Sequence, residues 1–255
     1  MGYHQNRMIS VAQIHDTWKT APARPIVEKD SVHVWRVSLG QPPEKIQSLL
    51  DLLTSDEKQR ASSYFATEDT NRFIVARGTL RIILSRYLEI NPDQLRFNYN
   101  QYGKPALIET RNASGLRFNV SHSKQISLCA ITREREVGID VELIREDVDF
   151  LYIASHFFSQ DEVRALHALQ RDLQKIAFFN CWTRKEAYIK ARGEGLSHPL
   201  DRFTVSLMPG EPAGLLSSDN DMPELSLREL SVAEDHAATL AAEGPLGELF
   251  CWDWQ

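Results

Sequence analysis

The 255 residues predict an α+β protein built as two lobes of similar size. Three observations carry that expectation. Stretches of period-two alternation at 33–39, 118–143 and 248–254 are interleaved with helical stripes at 69–88 and 159–191. The length suits one large domain or two lobes of about 100–150 residues each. The charge also changes sign along the chain: residues 1–125 hold 17 Lys+Arg against 12 Asp+Glu, whereas 126–255 hold 12 against 23. The break lies near residue 135. The expected organisation is a loosely ordered lead-in at 1–30, an N-terminal lobe at 31–134 and a C-terminal lobe at 135–255, with the last strand packing back on the N-terminal lobe.

The lead-in ends in Ala21-Pro22-Ala23-Arg24-Pro25, and His33 to Leu39 alternates as a first strand. Thr54 and Glu57 form a capping box, so a helix starts there. A longer helix covers Asp69 to Leu88, with Phe73, Leu80, Leu84 and Leu88 on one apolar stripe and Arg72, Arg77, Arg81 and Arg86 on other faces. Asn91-Pro92 ends it, because proline has no N–H to donate. Tyr102-Gly103-Lys104-Pro105 reads as a turn, Phe118 to Ser121 and Ile126 to Thr132 as strands, and Arg133 to Glu136 as a charged turn into a strand at Val137 to Leu143. Ser159 and Glu162 repeat the capping box, and Ile176 to Ala191 is a second long helix closed by Gly193 and Gly195. Residues 208–224 read as loop or hairpin connections, and Glu248 to Trp254 as a final strand with Trp252 and Trp254 on one face.

Composition excludes several classes. No apolar run approaches the roughly 20 residues of a membrane span, and the first 30 residues carry no export pattern, so a soluble cytoplasmic protein is expected. Three widely spaced cysteines argue against a disulfide framework or a zinc cage. A pI near 5.8 and the lack of interleaved basic and aromatic residues argue against nucleic acid as a partner.

The chemistry concentrates in two places. On the strand Gly138-Ile139-Asp140-Val141-Glu142, alternation puts Asp140 and Glu142 on one face, and Gly138 leaves room beside them for a bulky ligand. Alone, such a pair is more often a solvated face. On the helix Trp182-Thr183-Arg184-Lys185-Glu186-Ala187-Tyr188-Ile189-Lys190, positions 182, 186 and 190 share a face, and alone Glu186 and Lys190 make an ordinary surface pair of about 0.2–0.5 kcal/mol. Convergence of the two elements would change the reading. Two carboxylates about 4 Å apart repel by roughly 4 kcal/mol at an effective dielectric of about 20. Such a cluster needs a cation, and all-oxygen ligation favours Mg²⁺ or Mn²⁺ over zinc.

Gly-Ile-Asp-x-Glu followed by Trp-Thr-x-Lys-Glu-x-x-x-Lys resembles the paired signature of the Sfp-type 4'-phosphopantetheinyl transferases. Tyr102-Gly103-Lys104-Pro105, Phe118-Asn119-Val120-Ser121-His122-Ser123, Phe157-Phe158-Ser159 and Gly195-Leu196-Ser197 resemble that family in the same order, over roughly residues 50–205. The resemblance implies pseudo-symmetric lobes, each a small mainly antiparallel sheet packed with helices, with the active site at their interface. It implies transfer of the phosphopantetheine arm of coenzyme A to a serine of an apo acyl or peptidyl carrier protein, with release of adenosine 3',5'-bisphosphate; two lobes in one chain suggest a monomer. It assigns Asp140, Glu142 and Glu186 to Mg²⁺, with Mn²⁺ as a substitute. It places Lys104, Pro105, Ser121 and His122 near the nucleotide, Lys190 beside the pyrophosphate, and Lys58 and Arg72 in the coenzyme-binding region. Where the family often has a second basic residue one turn beyond Lys58, this chain has Ala61, leaving Arg72 or Arg77 for the 3'-phosphate.

On this reading Glu186 takes the serine proton, directly or through a bound water, while Lys190 and the cation offset charge on the leaving group; Asp140 completes the catalytic set. A metal-dependent phosphohydrolase would use the same acids, and a non-catalytic carrier- or nucleotide-binding protein would keep the core without the chemistry. Plainer roles are open for several residues. His122 would satisfy a core carbonyl, Trp182 would be packing, Lys185 a solvated lysine and Asp147 to Asp149 a polar loop, whereas Phe150-Leu151-Tyr152-Ile153 nearby would give the carrier an apolar docking strip.

Overall fold

The computed structural model describes residues 16–108, 115–218 and 224–255. In chain order the elements are β1 (Lys19–Thr20), β2 (Ser31–Ser38), α1 (Pro43–Asp51), α2 (Ser55–Ser62), α3 (Thr67–Leu88), β3 (Phe97–Tyr99), β4 (Pro105–Leu107), β5 (Leu116–Ser123), β6 (Ile126–Arg133), β7 (Val137–Leu143), α4 (Phe150–Phe157), α5 (Gln160–Ala168), α6 (Arg171–Arg192), β8 (Thr204–Val205), β9 (Leu215–Ser217), β10 (Leu225–Glu229), β11 (His236–Glu243) and β12 (Glu248–Asp253). The fold is α+β, with small sheets packed against helices.

A five-stranded sheet runs β1-β12-β2-β6-β5, and a three-stranded sheet β10-β11-β7; two hairpins, β3-β4 and β8-β9, stand apart. The larger sheet is mixed. β12 lies parallel to both β1 and β2, with Trp252 opposite Trp35, whereas β2, β6 and β5 are antiparallel. The final strand therefore closes a sheet begun near the other end of the chain.

Three cores follow from these layers. Trp35, Ile83, Leu84 and Ile131 pack α1 and α3 on the larger sheet. Phe178, Cys181, Tyr188 and Ile189 of α6 anchor the second cluster, with Phe158 and Phe203. The third lies between the sheets, where Val32, Val34, Leu128 and Ala130 meet Ile139, Val141 and Leu240. Burial of this kind contributes about 25 cal/mol per Å² of apolar surface.

Several expectations need correction. Residues 1–15 lie outside the described residues, but 16–30 are tied down: β1 pairs with β12, Val27 is buried, and Asp16 binds Arg228. The arginines of α3 are not all on open faces. Arg81 is buried, donating to Glu57 Oε2 and to the carbonyls of Pro92 and Leu95, because Glu57 of α2 supplies the counter-charge that lets a guanidinium leave water. The 208–224 stretch, by contrast, is the hairpin connection expected, with Leu215–Ser217 paired antiparallel to β8, while 219–223 lie outside the described residues.

Candidate active site

Gly138 decides how the site is assembled. A Cβ there would overlap the Ala187 carbonyl oxygen and the Ala191 amide, so the bare Cα lets α6 lie directly on β7. The space expected for a ligand is filled by helix backbone. The same contact brings the Trp182-Glu186-Lys190 face of α6 over Asp140 and Glu142.

On the other edge of β7, alternate side chains of β5 replace a backbone ladder. Asn119 Oδ1 accepts from Ile139 N–H at 2.9 Å, Ser121 Oγ donates to Asp140 Oδ1 at 2.8 Å, and Ser123 Oγ donates to Glu142 Oε2 at 3.0 Å while accepting from Leu143 N–H. Asn119 and Ser123 are site-building residues that the sequence reading left without a role. Their signal was present: polar side chains at every second position of a strand mark a polar partner across its face.

Asp140, Glu142, Glu186, Lys190, Ser121, His122, Pro105 and Trp182 line one cavity of about 490 Å³. Asp140 is 2 % exposed, so the strand is covered on both faces rather than half-solvated. Lys190 Nζ donates to Asp140 Oδ1 at 2.6 Å and to Ser121 Oγ at 3.1 Å. Burial alone would depress the lysine; the Asp140 carboxylate and hydrogen bond, then Glu186 and Glu142, outweigh it and hold its pKa above the usual value. Burial raises Glu186 to about 7, with Asp140 and Glu142 adding to the shift and Lys190 opposing it. Glu142 is raised as well, first by burial and next by Asp140.

The closed carboxylate set expected around a metal is not drawn up here. Among the described residues no three His, Cys, Asp or Glu side chains are grouped closely enough to hold an ion. Lys190 supplies the counter-charge to Asp140 instead. The donor chemistry nevertheless fits a hard divalent cation: Asp140, Glu142 and Glu186 offer only oxygen ligands, and among the described residues the buried Asp140 Oδ2 has no hydrogen-bond partner.

The cavity is also basic and aromatic. Arg60, Arg77, Tyr64, Phe73 and Tyr99 line it. Arg77 is 8 % exposed; its Nη2 donates to Tyr99 Oη at 3.1 Å, its guanidinium lies over the Phe97 ring, and its Nη1 is buried with no hydrogen-bond partner among the described residues. Arg60, exposed like Lys58 but lining the cavity, was missed because the buried face of α2 is that of Glu57 and Ala61 and gives no sign of which exposed cation borders the site. Lys58 is exposed and does not line the cavity. Arg72 pairs with Glu68 and Asp69 on its own helix turn and also stays off the lining.

His122 is open to solvent at the cavity mouth, so it is no core carbonyl partner. Desolvation on its cavity side, then Lys190, Arg72 and Arg60, hold its pKa below the usual histidine value. Lys104 is turned away: its ammonium donates to Glu136 Oε2 and to the carbonyls of Val137 and Ala191, while its neighbours Gly103 and Pro105 face the cavity. Trp182 packs on Phe178 and also lines the cavity. Lys185 is fully buried, bonded to Glu162 at 2.8 Å and to the carbonyls of Leu200 and Phe203, each at 2.7 Å.

Residues 136–241 match the 4'-phosphopantetheinyl transferase superfamily, and residues 40–134 match the N-terminal part of a 4'-phosphopantetheinyl transferase. The chain is 38% identical over 231 residues to the 4'-phosphopantetheinyl transferase HetI of Nostoc sp., covering 91% of this chain and 95% of that one. It is 30% identical over 180 residues to the 4'-phosphopantetheinyl transferase Sfp of Bacillus subtilis, covering 71% and 78%. The crystal structure of Thermotoga maritima holo-acyl-carrier-protein synthase aligns with 42% of this chain and 62% of its own, at 25% identity and a TM-score of 0.33.

Proposed function

The chain belongs to the 4'-phosphopantetheinyl transferase superfamily, and from that premise we propose how its cavity works. The enzyme moves the 4'-phosphopantetheine arm of coenzyme A to a serine hydroxyl of an apo acyl or peptidyl carrier protein. Adenosine 3',5'-bisphosphate leaves. The observation that carries this reading is the mixed lining of one cavity, where Asp140, Glu142, Glu186 and Lys190 share the walls with Arg60, Arg77, Tyr64, Phe73 and Tyr99. A diphosphate joined to a nucleotide has the complementary groups.

Arg60 and the unpartnered Nη1 of Arg77 receive the nucleotide's phosphate, and Tyr64, Phe73 and Tyr99 offer faces for its base. Pro105, Ser121 and His122 line the same cavity. Lys58 and Arg72 contribute charge at the rim rather than contacts.

Glu186, with a pKa near 7, is suited to take the serine proton at neutral pH. As the hydroxyl oxygen bonds to the phosphorus bearing the pantetheine arm, the diphosphate bond breaks and its electron pair passes to the leaving bisphosphate oxygen. Lys190, held by Asp140 and Ser121, offsets that charge. Asp140, Glu142 and Glu186 would hold Mg²⁺, with Mn²⁺ as a substitute, and the ion when bound would supply charge neutralisation on the diphosphate.

We extend the reading to a monomer of two lobes, divided near residue 135, acting in the cytoplasm. Three free, buried cysteines and the lack, among the described residues, of any helix able to cross a membrane support that setting. Intact-mass analysis of apo carrier proteins incubated with this enzyme, coenzyme A and Mg²⁺ tests the function. A phosphopantetheine adduct on serine is expected. Coenzyme A cleavage without any adduct would favour a phosphohydrolase.

A further inference from the structure

The tip of the β3-β4 hairpin grips the C-terminal end of α6. Asn100 Nδ2 donates to the Gly193 carbonyl at 2.6 Å, and Asn100 Oδ1 accepts from the amides of Tyr102 and Lys104, fixing the turn. Lys104 Nζ then reaches Ala191 O at 3.2 Å, Val137 O at 3.3 Å and Glu136 Oε2 at 3.0 Å. All three protons of the ammonium are used, and the side chain is 16 % exposed. Helix-end carbonyls lack intrahelical partners and carry partial negative charge, so a cation there is favourable.

The location gives this contact a consequence. Val137 and Ala191 flank the crossing at which Gly138 lies against α6. Lys190 precedes Ala191, and Asp140 lies three residues beyond Val137. One ammonium thus pins both elements beside the point where the Lys190–Asp140 contact is set.

We propose that Lys104 is a positioning residue that holds the α6–β7 crossing, and through it Lys190, rather than a contact to coenzyme A. The proposal rests on the roles given above to Lys190 and Asp140. Its geometry predicts a loss in the chemical step without a loss in coenzyme binding.

The full chain is tested as wild type, Lys104→Met and Lys104→Arg, with holo-carrier formation followed at varied coenzyme A. Lys104→Met is expected to lower kcat by about tenfold or more, as small misplacements of reacting groups do, with KM for coenzyme A changed by less than about twofold. Lys104→Arg, able to reach the same carbonyls, restores most of kcat. Should Lys104→Met not fold, Lys104→Gln keeps one donor for Ala191 and is judged by the same split. A raised KM with unchanged kcat would overturn the proposal. Hydrogen exchange supplies a second arm that needs no turnover: amides of 188–193 are expected to exchange faster in the folded variant, and unchanged exchange also overturns it. If wild type modified no carrier, the functional reading would fail while the exchange result still judged Lys104.

Discussion

Lys190 Nζ and Asp140 Oδ1 lie 2.6 Å apart, although 50 residues separate them in the chain. The contact depends on a third residue, Gly138, whose missing side chain admits α6 to the surface of β7. Catalytic geometry here is a packing result. The strand and helix motifs belong together because one glycine lets their backbones touch.

Gly138→Ala tests this dependence. The added methyl overlaps helix backbone rather than a flexible side chain, so α6 must lift from β7. Overpacking of this kind costs about 1–3 kcal/mol or more. Urea denaturation should show that loss, and the folded variant should transfer phosphopantetheine far more slowly. Wild-type stability and turnover would contradict the packing account.

The strand at Val137–Leu143 was legible to the residue, because alternation and flanking charges agree. The long helices were legible in place, though α6 begins at Arg171 rather than Ile176 since its first turn is polar. Convergence of β7 and α6 was left as a condition by the residues themselves, and the structure brings their side chains to one cavity. What Gly138 accommodates could not be read, because a glycine signals close approach without naming the partner. The partners of Lys104 and Lys185 were not legible for a related reason: a lysine's sequence neighbours do not reveal which distant carbonyls its long stem will reach.

Lys185 and Glu162 form a buried pair, 0 % and 1 % exposed at their side chains. Lys185→Met leaves Glu162 without its cation and should cost about 3–5 kcal/mol. Lys185→Met with Glu162→Leu removes both charges and should recover part of that loss. Denaturant midpoints of wild type, the two single variants and the double variant measure it, and additive losses would argue against the pairing.

His33 adds a pH dependence remote from chemistry. Trp35 Nε1 donates to Tyr87 Oη at 2.8 Å, which leaves the tyrosine proton for His33 Nδ1, also at 2.8 Å. Burial lowers the His33 pKa from 6.5 to about 4. Between those values the unfolded chain binds the additional proton, so the stabilisation is complete above about pH 6.5 and is lost as pH falls toward 4. The span corresponds to roughly 3 kcal/mol. Denaturation profiles across this range should be flatter in His33→Gln; an identical slope would remove His33 as the source.

The metal role proposed for Asp140, Glu142 and Glu186 predicts stabilisation by a divalent cation without coenzyme. An ion that binds only the folded chain raises its melting temperature with concentration. Mg²⁺ titrated into the metal-free enzyme should raise Tm, and Glu142→Gln should abolish most of the shift. Calorimetry reads both; a Tm indifferent to Mg²⁺ in wild type would weigh against a metal at these residues.

In the proposed mechanism Asp140, Glu142 and Glu186 act on one diphosphate through one cation. The most direct measurement is anomalous scattering from crystals grown with Mn²⁺ and coenzyme A. The account predicts a single manganese peak within bonding distance of those three carboxylates and of the diphosphate. A peak elsewhere, or a bound diphosphate with the three carboxylates turned from it, would contradict the account.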